Sequence, residues 1–153
     1  MRRGVRVGVD WGDARIGVAR CDPDGVLATP YATVKAGERE VDDLLAVLAE
    51  LEPLEVVVGL PTTLAGTEGP AAVKVRRCAA ALAARTSVPV RLVDERLTTV
   101  EVSRRMREGG RSAKAQRSVI DAAAAAAILE HALGVERSRD QPPGELVLPG
   151  PTA

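Results

Sequence analysis

Three short apolar segments of this chain each end in an acidic residue or a glycine, and a fourth places an acid at the start of an alanine-rich run. They are VGVDWG at residues 7–12, VVVGLP at 56–61, LVDER at 92–96 and VID at 119–121. Apolar runs of this length are typical of buried strands, and the carboxyl ends of parallel strands meet at one edge of a sheet. The sequence therefore predicts carboxylates gathered at one sheet edge, where they repel one another unless a cation binds them.

The order of the periodic segments predicts a single α/β domain. The predicted strands cover 5–10, 15–21, 26–34, 55–60 and 88–93, and the predicted helices cover 39–52, 70–85, 99–108 and 113–133. This order favours a mixed five-stranded sheet with helices on both faces. Its first three strands are antiparallel, whereas the first, fourth and fifth are parallel. We expect the domain to span residues 1–134 and to be followed by a proline-rich, disordered tail over 135–153.

Charge and aromatic content restrict how the chain would bind nucleic acid. It carries 21 basic and 21 acidic side chains, so a nucleic-acid partner requires a local basic patch. Trp11 and Tyr31 are its only aromatic residues, which argues against a sheet face on which bases stack. One stretch is strongly basic, and its cations are Arg104, Arg105, Arg107, Arg111, Lys114 and Arg117. We expect it to contact phosphates; the alternative is a solvated helix face.

The two cysteines, Cys21 and Cys78, fall on a predicted strand and on the apolar face of a predicted helix. This placement favours buried, reduced thiols of a cytoplasmic protein over an intermolecular disulfide. The N-terminus has no secretory h-region, and no apolar run approaches the roughly 20 residues of a membrane span. We therefore expect no membrane association.

Acidic residues at the predicted sheet edge are the candidate catalytic groups. Asp10 closes the first strand, and Asp94 and Glu95 follow the fifth, where only one of the two adjacent side chains easily faces the cluster. On its helix, Asp121 heads a face formed by Ala124, Ala125, Ile128 and Ala132. Carboxylate oxygens are the ligands that Mg²⁺ and Mn²⁺ prefer. The alternatives are a turn-forming Asp10, an ion pair of Glu95 with Arg96, and an Asp121 just outside the buried zone.

Three acids on this β-β-β-α-β-α-β frame match the plan of RNase H-like nucleases, and the chain resembles the YqgF/RuvX family of pre-16S rRNA nucleases and Holliday junction resolvases. The resemblance covers about residues 4–133 and rests on four motifs in order. These are VDWGDARIGVA at 9–19, VGLP at 58–61 with GTEG at 66–69, DERLTT at 94–99 and IDAAA at 120–124. It implies an RNase H-like fold and nuclease activity.

The resemblance also implies an acidic triad of Asp10, Glu95 and Asp121 that holds two Mg²⁺ or Mn²⁺ ions. We expect Arg15 and Arg96 to orient these acids or to contact a phosphate. The segment after the fourth strand would hold the substrate backbone, unless it is an inert loop; its residues are Gly59, Thr62, Thr63, Gly66 and Thr67.

The expected partner is nucleic acid, either pre-rRNA or branched DNA. A monomer is sufficient for 5′ maturation of pre-16S rRNA, whereas symmetric resolution of a four-way DNA junction requires a homodimer. Two other classes stay open. One is a non-catalytic RNA-binding assembly factor, and the other is a phosphotransferase, because a similar Asp-x-Gly turn binds phosphate in the actin and sugar-kinase superfamily.

Overall fold

The computed structural model describes residues 1–63, 65–94 and 113–149, and for 113–120 it describes the backbone alone. The described strands are β1 (Arg6–Trp11), β2 (Arg15–Cys21), β3 (Ala28–Lys35), β4 (Glu55–Leu60), β5 (Val90–Asp94) and β6 (Glu145–Leu146). The described helices are α1 (Glu40–Leu51), α2 (Pro70–Ala83) and α3 (Ala113–Arg139). The helix predicted over 99–108 lies outside the described residues.

All six strands form one mixed sheet in the order β3-β2-β1-β4-β5-β6. Strand β2 is antiparallel to both β1 and β3, while β1, β4 and β5 are parallel. The predicted α/β class and these strand directions are confirmed. The predicted count of five strands is wrong, because β6 pairs antiparallel with β5 as a sixth strand.

Alternation of side chains divides the core into two apolar layers. The layer shared with α1 and α2 includes Val7, Val9, Ile16, Val58 and Leu92. The layer under α3 includes Ala19, Cys21, Val57, Val93 and Leu129. Gly8 lets α3 approach closely, because a Cβ atom there would lie 2.7 Å from the Ala125 carbonyl oxygen. The small residues of β1 and α3 therefore set how deeply the helix packs on the sheet.

The chain after residue 134 differs from the expected disordered tail. Helix α3 continues through Gly134 to Arg139, and β6 pairs with β5. Glu136 explains the longer helix: it is 2% exposed, and it accepts hydrogen bonds from Arg6 at 2.5 Å and Arg2 at 2.6 Å. A buried ion pair of this kind fixes the last turns of α3 against the start of β1.

The same ionic cluster extends to the start of β4. Glu55 is 1% exposed and accepts hydrogen bonds from Arg2 and, at 2.8 Å, from Arg91 of β5. Removing one partner of such a buried pair typically costs about 3–5 kcal/mol, because the other charge is left without compensation. This cluster lies at the amino ends of β1 and β4, opposite the ends of the strands where the acids were predicted to gather. None of the described helices combines the length and the apolar character needed to cross a membrane.

Candidate active site

Asp10 and Asp121 lie on the same face of the sheet, near the carboxyl end of β1. Asp10 is the partner of Gly17 in the antiparallel β1–β2 pair, so both positions face the same side of the sheet. Gly17 lies directly beneath α3, since a Cβ atom there would be 1.8 Å from the Asp121 carbonyl oxygen. Asp10 and Asp121 therefore lie on the same face, each next to the same glycine. Their predicted role as catalytic groups stays a prediction.

Arg15 holds the Asp121 side chain. Its Nε atom donates a hydrogen bond to Asp121 Oδ2 at 2.8 Å, and the two side chains are 31% and 23% exposed. Arg15 precedes Gly17 by two residues on β2, so strand alternation points it to the same face. This contact agrees with the expectation that Arg15 orients an acid. Because both groups keep access to solvent, the pair can open when a ligand competes for either charge.

The strand alternation of β5 separates Asp94 from this face. Val90 and Leu92 belong to the layer under α1 and α2, and Val93 belongs to the layer under α3. Asp94 follows this alternation on the α1 and α2 side, and it accepts a hydrogen bond from the Thr62 hydroxyl at 2.9 Å. Glu95 lies outside the described residues, so its predicted role stays a prediction, as does that of Arg96.

The loop after β4 is closed by its own hydrogen bonds. The Thr63 and Thr67 hydroxyls lie 2.6 Å apart, and the Thr63 amide donates to the Thr67 carbonyl at 2.9 Å. Gly66 has a φ of +85°, which favours glycine at this turn. Gly59 is buried within β4. Thr63, Gly66 and Thr67 therefore form a compact turn after β4, and the role of the five predicted residues in holding substrate stays a prediction.

An ion pair ties this loop to the C-terminal strand. Arg76 of α2 contacts Glu68 at 2.7 Å and Glu145 of β6 at 2.6 Å. The Arg76 guanidinium holds the pKa of both carboxyl groups below their usual values. Arg76 of α2 thus links the C-terminal strand to the loop after β4, a connection that the sequence pattern did not predict.

Only part of the predicted basic stretch lies within the described residues. Lys114 and Arg117 belong to the first turns of α3, where the backbone alone is described. The other four cations, Arg104, Arg105, Arg107 and Arg111, lie outside the described residues. Sequence reasoning missed Lys35, an exposed lysine that pairs in register with Arg15 across β2 and β3. The signal that could have identified it is its place at the end of the third strand, beside the edge where the acids gather.

Trp11 and the two cysteines are structural. Trp11 is 7% exposed, belongs to the core layer shared with α1 and α2, and donates a hydrogen bond from Nε1 to Glu40 Oε2 at 3.1 Å. Cys21 and Cys78 are free thiols, and burial raises the pKa of each. Thiols of this kind react slowly because the thiolate is disfavoured.

Asp10 and Asp121, two of the three residues predicted to bind metal, lie within the described residues. Within the described ranges, no group of three or more His, Cys, Asp or Glu side chains is placed to hold a metal ion. Asp10 and Asp121 nevertheless present carboxylate oxygens on one partly exposed face, and such hard oxygen donors fit Mg²⁺ or Mn²⁺. The donor set is therefore chemically suited to a hard divalent cation.

Two structures of RuvC from Thermus thermophilus, one of them in complex with a Holliday junction substrate, superpose with TM-scores of 0.53 and 0.52. Their sequence identities are 19% and 20%, and they cover 93% and 88% of this chain and 99% and 96% of their own. The fold is RuvC-like, which is a form of the RNase H-like fold.

A family model described as "RuvX: Holliday junction resolvase" matches residues 4–134. A relative from Nocardioides, named "Putative pre-16S rRNA nuclease", is 55% identical over 96% of this chain and 98% of its own. A relative of the same name from Streptomyces coelicolor is 58% identical over 95% of this chain and 89% of its own. The chain belongs to the RuvX family, a family of nucleases, which are hydrolases acting on phosphodiester bonds.

Proposed function

We propose that this protein is a metal-dependent endonuclease that acts in the 5′ maturation of pre-16S rRNA. The observation that carries the proposal is the convergence of Asp10 and Asp121 on one face, with Gly17 between them. Relatives that match nearly the whole chain are named for pre-16S rRNA, which supports this substrate. The proposal includes a cytoplasmic location, and a monomer is sufficient for this activity.

The acids of the site would hold the metal, and Arg15 would control one of them. Asp10 and Asp121 would be two of the ligands, and Glu95 would be the third, as the resemblance of the DERLTT motif at 94–99 implies. Two Mg²⁺ or Mn²⁺ ions, when bound, supply Lewis acidity to the scissile phosphate. Arg15 would hold the Asp121 carboxylate until a metal ion competes for it, and would carry a positive charge toward the substrate phosphates.

The close approach of α3 to the sheet is part of this arrangement. Ala124 and Ala125 are fully buried on the helix face that follows Asp121, and larger side chains would lift the helix from β1 and β2. Lifting the helix would separate Asp121 from Asp10. The small residues therefore hold the acids close enough to act on one phosphate.

Holliday junction resolution by a homodimer is the second candidate function. It is favoured by the description of the matching family model. A resolvase must place two active sites symmetrically on one junction, which a two-fold dimer achieves. A non-catalytic RNA-binding assembly factor would retain binding without cleavage.

A cleavage assay with two substrates separates these functions. Purified protein is incubated with Mg²⁺ or Mn²⁺ and either a pre-16S rRNA 5′ leader or a four-way DNA junction. Metal-dependent cleavage of the leader alone is the expected result. Symmetric paired nicks in the junction alone would support the resolvase instead, and binding without cleavage of either substrate would support the assembly factor.

A further inference from the structure

Lys35 and Arg15 form a pair of adjacent cations on the face that carries the acids. They are directly opposite in the antiparallel β2–β3 ladder, where facing Cβ atoms lie about 4.5–5.5 Å apart. A hydrogen bond from the Ala36 amide to the Ala14 carbonyl, 3.1 Å long, continues the ladder past this pair and fixes its register. Both side chains therefore project toward the α3 side, since Arg15 contacts Asp121 there.

Two like charges in this arrangement repel each other, which disfavours the pair in the absence of an anion. Arg15 is compensated by Asp121. Lys35 is exposed and, within the described part of the chain, makes no ion pair. A phosphate placed between the two side chains would relieve the repulsion and satisfy both.

The position of Lys35 relative to Asp10 indicates in which direction a bound substrate strand would run from the acids. Gly17 is the partner of Asp10 on β2, and Thr33 is the partner of Gly17 on β3, so a row crosses the sheet from the acid to the edge strand. Lys35 lies two residues beyond Thr33 and two strands from Asp10, about 10 Å across the sheet. This spacing suits a phosphate next to the one that the acids would cleave.

We infer that Lys35 and Arg15 form a phosphate-binding pair that guides the substrate strand across β2 and β3. The inference rests on the proposed nuclease function. It adds that the backbone of the nucleic-acid substrate runs from the acids toward β3. It assigns substrate contact to the edge strand β3, independently of the basic stretch over 104–117. Lys35 contributes to affinity and to the path of the strand, while the acids carry the chemistry.

Fluorescence anisotropy with a single-stranded fragment of the pre-16S rRNA 5′ leader, in metal-free buffer, tests this inference. The proteins compared are the wild type, Lys35→Gln, Lys35→Arg and Arg139→Gln. Arg139 is a matched control because it is an exposed cation 18 residues along α3 from Asp121, about 27 Å at 1.5 Å per residue. Thermal unfolding of each variant confirms that the fold is unchanged.

Lys35→Gln is expected to bind about fivefold more weakly at 0.1 M salt and to lower the salt slope by about 0.7, the value for one lost single-strand phosphate contact. Lys35→Arg should bind like the wild type, because it keeps the charge, and Arg139→Gln should be unchanged. If Lys35→Gln binds and responds to salt like the wild type while the wild type cleaves the leader, this inference fails and the nuclease proposal stands. If the wild type neither binds nor cleaves the leader, both are overturned.

Discussion

Gly17 of β2 lies directly against the backbone of α3 at Asp121, and this contact leaves no room for a side chain at residue 17. A Cβ atom on Gly17 would lie 1.8 Å from the Asp121 carbonyl oxygen and 2.9 Å from the Ala122 amide nitrogen. Both are backbone atoms, so no rotation of a flexible side chain can relieve the overlap. The glycine therefore determines where the helix, and with it the candidate metal ligand, sits above the sheet.

Gly17→Ala should destabilise the protein and reduce cleavage, because the added methyl group pushes α3 away from β2. Overpacking of this kind costs about 1–3 kcal/mol, measurable by urea unfolding. Gly134→Ala is the matched control: a Cβ atom there meets nothing within 4 Å, and the residue lies inside α3. It should stabilise the protein by about 0.5–1 kcal/mol. Equal stability of both variants would contradict the close approach of α3.

Arg15→Gln should change metal binding and nucleic-acid binding in opposite directions. Loss of the Arg15 charge frees Asp121 Oδ2 from its ion pair. Because both side chains are partly exposed, this ion pair contributes about 0.2–1 kcal/mol. Calorimetry should therefore show Mn²⁺ binding up to about fivefold tighter, while anisotropy shows weaker binding of the leader RNA. Arg85→Gln removes a comparable exposed pair with Asp42 and should change neither. Weaker binding of both ligands by Arg15→Gln would indicate a purely structural role for Arg15.

Asp94 and Glu95 should differ sharply in their contribution to cleavage. Asp94→Asn retains the oxygen that accepts the Thr62 hydrogen bond and lies on the α1 and α2 side, so cleavage should stay within a few fold of wild type. Glu95→Gln should lower the rate by more than the roughly 10–100-fold that follows loss of an outer-shell partner of a metal. Single-turnover cleavage of the leader measures both. The reverse order would assign the third ligand to Asp94.

Glu136→Gln should destabilise the protein strongly, because Arg6, which is only 1% exposed, would keep its positive charge but lose its carboxylate partner. The expected loss is about 3–5 kcal/mol in the free energy of unfolding. Glu130→Gln, an exposed site on the same helix, should change stability by less than about 0.5 kcal/mol. A chain that ends at residue 134 should also be destabilised, since it lacks Glu136 and β6. Wild-type stability of Glu136→Gln would show that the buried pair contributes nothing.

The sequence predicted the elements whose signal is local. Strand alternation and the alanine face after Asp121 depend on spacing along one segment. The sheet order around β1 and the placement of Asp10 and Asp121 on one face followed from them, whereas the roles of these acids stay predictions. Arg15 was also assigned near the acids because it lies in the same short motif. These predictions hold in the folded chain because the spacing of apolar residues determines which side chains are buried.

The features that the sequence did not predict depend on contacts between distant segments. Glu136 is paired with arginines 130 and 134 residues away, which no local pattern of a proline-rich tail indicates. Lys35 gains its position only through the register of β2 and β3. The face on which Asp94 lies became clear only when its neighbours on β5 were assigned to the two core layers.

The central claim, that Asp10 holds a metal ion needed for cleavage, is tested most directly by comparing Asp10→Asn with Asp13→Asn. Asp13 belongs to the same turn, but its side chain is 94% exposed and pairs with Lys74. Mn²⁺ binding by calorimetry and cleavage of the leader RNA are measured for both variants beside the wild type. The account predicts that Asp10→Asn loses both Mn²⁺ binding and cleavage while keeping its fold, and that Asp13→Asn retains both. Normal metal binding and cleavage by Asp10→Asn would contradict it.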